Sequence, residues 1–369
     1  MNIQATASKA GGTAQSVGIA DCDIHPNFSS SDEFRSYLDP AWRGHYDQFH
    51  NGNRAAFASL DPYPGIEPNI ARRDSYPDNG GPPGSDLDFM RRQHLDAHDV
   101  KLGLLQPLSP SGAWQRDQAY GAAISAAVNR WQLERWTQDE PRLKGSITIP
   151  QDNAEMAVAE IRRHAGNGDF VQVAMSQRAL EPLGRRRYWP IYQAAVEAGL
   201  PIGIHVGGNG GAPVFGGAGW ASFHIQQHQA IHYAMNAMMT SFVMEGVFET
   251  FPGLRIMLVE GAFSWLPSAM WRMDAIWEKM RAELSHLKRP PSEYVRRHVW
   301  VSTQPIDVYK DPKDLRQIME WIGFDRLCFA SDYPHWDFDD PRYAFPFAMT
   351  EAEKAQIFRQ NTMAFLGRS

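Results

Sequence analysis

Apolar residues gather along this chain in short runs that alternate with amphipathic stretches, and eight of the runs have the length and composition of strands. They cover residues 18–25, 101–106, 144–149, 170–174, 201–206, 254–260, 299–303 and 326–332. Helix-period patterns occupy 117–138, 153–165, 190–198, 228–249, 264–283, 312–323 and 351–365. Pro190 suits a first helical turn and Gly199 a helix stop. Strands alternating with helices bury both faces of a parallel sheet, so the pattern predicts an α/β fold, a closed (β/α)8 TIM-type barrel, with an open doubly wound sheet as its rival. The turn after the first strand reads DCDIHPNFSS and lacks the glycine fingerprint that cradles a pyrophosphate, which counts against the open alternative.

Residues 1–16 are small and polar, without the apolar stretch of a secretory leader, and read as a flexible tail; residues 17–369 read as one domain. Residues 26–100 form a long insertion after the first strand. Its middle, DPYPGIEPNIARRDSYPDNGGPPGSDLD, is rich in Pro and Gly, which predicts a lid over the barrel mouth rather than a core element. No solenoid-length repeat occurs, and no run of about 18 apolar residues that would span a membrane.

Composition narrows the partners. With 43% hydrophobic residues, 12 Trp, 12 Tyr and 19 Phe, the chain can build a large core, so general disorder is excluded. A net charge of −6 offers no general attraction for nucleic acid or an anionic membrane, and a small-molecule substrate is expected. Two cysteines, Cys22 and Cys328, are too few for a disulfide scaffold and fit a reducing compartment, the cytoplasm by default.

In a (β/α)8 barrel the chemistry sits where strands end at the C-terminal mouth. The first strand ends in Asp21, Asp23 and His25, at the two-residue spacing that puts them on one side. Asp21 is expected to satisfy backbone donors. The fifth strand carries His205 ahead of glycines, the sixth ends in Glu260 and the eighth in Asp332. Charged and imidazole groups ending apolar strands are expensive to bury unless paired or metal-bound, so a divalent cation is the economical explanation. Such mixed nitrogen and oxygen ligands suit zinc, manganese or iron, with zinc the first expectation.

Four segments, DCDIHP, PIGIHVGG, FETFPGLRIMLVEGAFSWLPSAMWRMD and FASDYPHWDFDDP, jointly resemble the amidohydrolase-related family, which includes decarboxylases and ring-fission-product hydrolases. The resemblance runs from Gly18 to the C-terminus. It implies a (β/α)8 barrel whose metal is held by Asp23, His25, His205 and Asp332. Many relatives carry a catalytic His at the end of the sixth strand, where this chain has Glu260. The fourth strand, FVQVAM, has no Lys, which excludes a bridging carbamate. Glu260 is therefore expected to bridge to a second ion or to act as general base. Of His224, His228 and His232, four residues apart on one helical face, His228 is the one expected to assist it. Trp336 is expected to wall the substrate. The cluster Met235, Met238, Met239 and Met244 is expected to pack, and Arg185, Arg186 and Arg187 to face solvent or a subunit.

The leading expectation is a metal-dependent enzyme that hydrolyses or non-oxidatively decarboxylates a small organic acid. One alternative is an iron- or manganese-dependent oxygenase of the same fold. Another is a metal-binding structural partner of a related active chain. A homodimer, or a hetero-oligomer with a paralogous subunit, is expected in each case.

Overall fold

The computed structural model describes residues 18–49, 70–208, 219, 221–307 and 309–368. The tail at 1–16 and the stretch 50–69 within the insertion lie outside the described residues. All eight strands form: β1 (Ile19–Ile24), β2 (Val100–Leu105), β3 (Leu143–Thr148), β4 (Phe170–Arg178), β5 (Ile202–Gly208), β6 (Ile256–Val259), β7 (Val299–Ser302) and β8 (Leu327–Cys328). Each pairs in parallel with the next, in chain order. The seam is drawn together by Cys22 N donating to Phe329 O at 3.0 Å and His25 N to Tyr333 O at 2.8 Å. The fold is thus the (β/α)8 barrel that the alternation predicted.

The interior of the barrel is filled by modest side chains, Ala20, Cys22, Leu102, Leu104, Val171, Met257, Val259, Cys328 and Ala330, closed off by Trp300, Phe365 and Leu366. Both cysteines are buried and free. Outside the strands runs the helical ring. It contains α1 (Ser31–Tyr37), α2 (Pro40–Phe49), α3 (Leu87–Met90), α4 (Gln118–Gln132), α5 (Ala154–His164), α6 (Trp189–Glu197), α7 (His224–Met244) and α8 (Val247–Thr250). It continues with α9 (Leu266–Lys279), α10 (Pro291–His298), α11 (Pro312–Ile322), α12 (Glu351–Ala355) and α13 (Asn361–Phe365). Met235 and Met239 of α7 are buried in the larger apolar cluster between this ring and the sheet, so they pack as expected.

Three local readings are corrected. Helix α7 starts at His224, four residues before the expected start, and Gly246, at φ 77°, breaks what read as one helix into α7 and α8. Helix α10 was not among the predicted stretches; Pro291 stands in its first turn, where the missing N–H costs nothing. The flanks of the insertion are core rather than cover. Phe28, Phe34, Leu38 and Tyr46 pack with Met90, Leu95 and Trp131, and the Phe28 and Trp131 rings stack at 4.0 Å.

The Pro- and Gly-rich part of the insertion that is described lies against the ends of β1 and β8. Arg72 N donates to Pro334 O at 3.0 Å, Trp336 N to Ile70 O at 2.8 Å and Asn27 N to Gly84 O at 2.9 Å. Gly84 has φ 75°, and a Cβ there would collide with the His25 carbonyl oxygen, so only glycine fits.

Candidate active site

Side chains from β1, β5 and the turns after β6 and β8 converge at the C-terminal mouth. Asp23, His25, His205 and Glu260 each offer a ligand atom within 4.8 Å of the others. Asp332 meets this group through His25 and Glu260, in a second set that includes His335. The expected metal ligands are therefore brought together, with Glu260 among them. Asp23, His25, His205 and Asp332 are all buried.

The two imidazoles are aimed by their far nitrogens. His25 Nδ1 bonds the Gln106 carbonyl at 2.8 Å and His205 Nδ1 bonds the Val206 carbonyl at 2.8 Å. A carbonyl only accepts, so each Nδ1 carries the proton and each Nε2 presents a lone pair to the cluster when the ring is neutral. His25 Nε2 lies 3.1 Å from Asp23 Oδ1 and 2.8 Å from Asp332 Oδ1; His205 Nε2 lies 3.4 Å from Asp23 Oδ1 and 3.2 Å from Glu260 Oε2. These approaches lack hydrogen-bond alignment: both Asp23 oxygens, His25 Nε2 and His205 Nε2 are buried without a hydrogen-bond partner. Native proteins seldom leave such groups unsatisfied, and a divalent cation would satisfy all four atoms at once.

Glu260 and Asp332 hold the left-handed backbone conformation, at φ 56° and 61°. That conformation costs a non-glycine residue about 1–3 kcal/mol and recurs where a site requires it. The Ser302 hydroxyl accepts from Glu260 N at 2.9 Å and steadies the turn.

Crowding sets the protonation of the cluster. Burial pushes the Asp23 carboxyl up, but the facing imidazoles of His25 and His205 outweigh it and hold it below the usual range. Burial pulls both imidazoles down, while Asp23 and, respectively, Asp332 and Glu260 bring them above their ordinary value. Burial first, and Asp332 second, raise Glu260 well above a normal carboxyl. Burial likewise raises Asp332, against the opposing His25. Protons thus accumulate in the position where a cation's charge would otherwise balance the carboxylates.

Three further side chains surround the cluster: His335, which as a residue just beyond Asp332 was expected to overhang the site, and Asp337 and Gln304, which had not been singled out. His335 stacks on His25 at 4.2 Å and bonds Asp332 Oδ1 through Nδ1 at 2.6 Å; burial, then His25, push it down to about 3, so it is a neutral donor. Asp337 Oδ2 accepts from His228 Nε2 at 3.1 Å. Gln304 Nε2 donates to both Asp332 Oδ2 and Asp337 Oδ2 at 3.1 Å, which links the cluster to the His228–Asp337 pair. The bond to Asp337 raises the His228 imidazole against its burial. The signal for Asp337 and His335 was the run PHWDFDD beyond Asp332; a neutral glutamine such as Gln304 gave none. Trp336 is 46% exposed and sits edge-on to His228 at 5.5 Å and His224 at 6.1 Å. Arg185 and Arg187 pair with surface acids, Glu181 and Glu245, away from the cluster.

Asp21 takes a different part from Asp23. It accepts from Asp23 N at 3.1 Å, from Ser331 N at 2.9 Å and Oγ at 2.5 Å, and meets His94 Nε2 at 2.8 Å, all buried. Asp21→Ala strands the partner donors and is expected to lower unfolding stability by about 3–5 kcal/mol, read from the denaturant midpoint.

Glu260 and His228 also border a cavity of about 490 Å³, within the usual size range of small-molecule sites. A larger one, about 1060 Å³, lies over the ends of β1 and β2 between Phe28, His45, Arg116 and Tyr120, and includes none of the cluster residues. No helix among the described residues is long and apolar enough to cross a membrane.

Residues 20–368 match the amidohydrolase family as a whole. A curated relative, the gamma-resorcylate decarboxylase of Polaromonas sp. strain JS666, is 23% identical over 287 residues, covering 74% of this chain and 85% of that protein. Among solved structures, an amidohydrolase from Mycobacterium avium subsp. paratuberculosis aligns with TM-score 0.71 and 22% identity, over 95% of this chain and 98% of that one. The 5-carboxyvanillate decarboxylase of Novosphingobium aromaticivorans, complexed with manganese and 4-hydroxy-3-methoxy-5-nitrobenzoic acid, aligns with TM-score 0.68 and 19% identity, over 97% and 98% of the two chains. At these identities the structural likenesses establish the shared barrel.

Proposed function

Because the chain belongs to the amidohydrolase family, we propose that it is a metal-dependent enzyme that removes carbon dioxide from a small aromatic hydroxy acid without an oxidant. The observation that carries this reading is the set of four buried ligand atoms, on Asp23, His25 and His205, that have no hydrogen-bond partner. With Asp332, these residues would hold the cation. Manganese, which accompanies the decarboxylase of N. aromaticivorans, replaces zinc as the first choice. When bound, the ion supplies the positive charge that anchors and polarises an organic acid.

The protein's own groups do the rest. No Arg or Lys among the described residues pairs with Asp23, Glu260, Asp332 or Asp337, so no guanidinium or ammonium group stands in the cluster to receive an acid. In decarboxylation the bond from ring carbon to carboxylate breaks, its electron pair stays on the ring carbon, and that carbon takes one proton. Glu260, at the border of cluster and cavity, delivers that proton, and His228, held by Asp337, returns one to it. Trp336 shields the rim beside His228.

The test is carbon dioxide release from a set of hydroxybenzoates by the manganese-loaded chain, in air and under nitrogen. Equal release in both, and none after chelation, is the expected result. Turnover that requires dioxygen would favour the oxygenase, and cleavage of amides or esters without carbon dioxide would favour a hydrolase.

A further inference from the structure

The cavity bordered by Glu260 and His228 extends one turn along α7, to His232, and reaches Asp307 on the loop after β7. Ile231, Trp265, Pro305 and Ile306 form apolar walls. The Trp265 ring is fixed by Nε1, which donates to Gly261 O at 2.9 Å and Ala262 O at 3.1 Å, so the cavity has a flat, rigid side. At the Asp307 end, Tyr309 OH donates to Ser264 Oγ at 2.6 Å and the Ser264 hydroxyl donates to Asp307 Oδ2 at 2.5 Å.

Those protons are thereby committed. A carboxylate has room for about four donors, and the hydroxyls of Ser264 and Tyr309, which both face Asp307, leave part of that capacity to a ligand. No Arg or Lys is among the residues that line the cavity. The end away from the cluster therefore accepts hydrogen bonds and has no cation to receive an anion.

Resting on the decarboxylase reading, we infer that Asp307 selects the substrate: an aromatic acid with one carboxylate, at the Glu260 end, and a hydroxyl or amino donor at the opposite end of the ring. The donor makes a charge-assisted bond to Asp307. A second carboxylate there meets like charge and finds no donor to pair with, so it is disfavoured.

Three probes test this on the manganese-loaded full chain: 2-hydroxybenzoate, 2,4-dihydroxybenzoate and 2-hydroxybenzene-1,4-dicarboxylate. Binding is read by equilibrium dialysis and turnover by carbon dioxide release. The dihydroxy acid is expected to bind about 10- to 100-fold better than 2-hydroxybenzoate, with the dicarboxylate weakest. Asp307→Asn should shrink both gaps, and Asp307→Lys should make the dicarboxylate the best ligand. Asp307 is exposed, so neither change disturbs the core. Equal binding of all three probes, binding of none, or an order that Asp307→Lys leaves unchanged overturns the inference. An Asp307-dependent binding order without carbon dioxide release would leave it standing and overturn the reaction instead. Carbon dioxide release with a flat binding order would do the reverse.

Discussion

Asp23→Asn is expected to strip the chain of its metal and, with it, of turnover. Both Asp23 oxygens are buried without a hydrogen-bond partner, and they lie between the Nε2 atoms of His25 and His205, at 3.1 Å and 3.4 Å from Oδ1. The amide keeps the shape but offers one oxygen in place of two and no charge. It also leaves the two imidazoles without the anion that draws their protons. Breaking a buried charged set of this kind costs about 3–5 kcal/mol, which is roughly 10²- to 10⁴-fold in metal affinity. Elemental analysis of the purified variant, with carbon dioxide release in parallel, checks this. An Asp23→Asn protein that keeps its metal and its rate would move the ion out of this cluster.

Glu260→Gln is expected to act on rate rather than on metal content. The glutamine cannot give up or regain a proton, and a positioned acid–base group contributes about 10²- to 10⁴-fold, so kcat should fall by that factor. Because Glu260 Oε2 lies 3.2 Å from His205 Nε2, it also stands close enough to the cluster to act as a ligand. The two roles separate in one preparation. Metal retained with kcat lost assigns the proton to Glu260; metal and kcat lost together make it a ligand; full activity removes it from the mechanism.

The strands were legible because each is a short apolar run, and the barrel followed from their alternation with helices. The site was legible where an ionisable residue ended such a run, as at His25, His205, Glu260 and Asp332, since burial makes that combination costly without a partner. It was illegible where the contact depends on tertiary approach. Asp337 lies five residues beyond Asp332 in a run of acids that reads as an ordinary loop, and only the fold brings it to His228. Gln304 carries no charge, yet it joins Asp332 to Asp337. Pro and Gly dominate the centre of residues 26–100, and the core positions on its flanks, Phe34, Tyr46 and Leu95, lie on separate short elements that only the fold brings together.

The seam between β1 and β8 has a bearing on biosynthesis. Asp21 and Ser331, bonded to one another across it, are 310 residues apart along the chain, and the prospective ligands Asp23, His25 and Asp332 straddle the same join. A ribosome releases the first of these long before the last. The nascent polypeptide therefore holds an incomplete grip until Asp332 has been made, and acquisition of the ion belongs after that point, when the cylinder has shut.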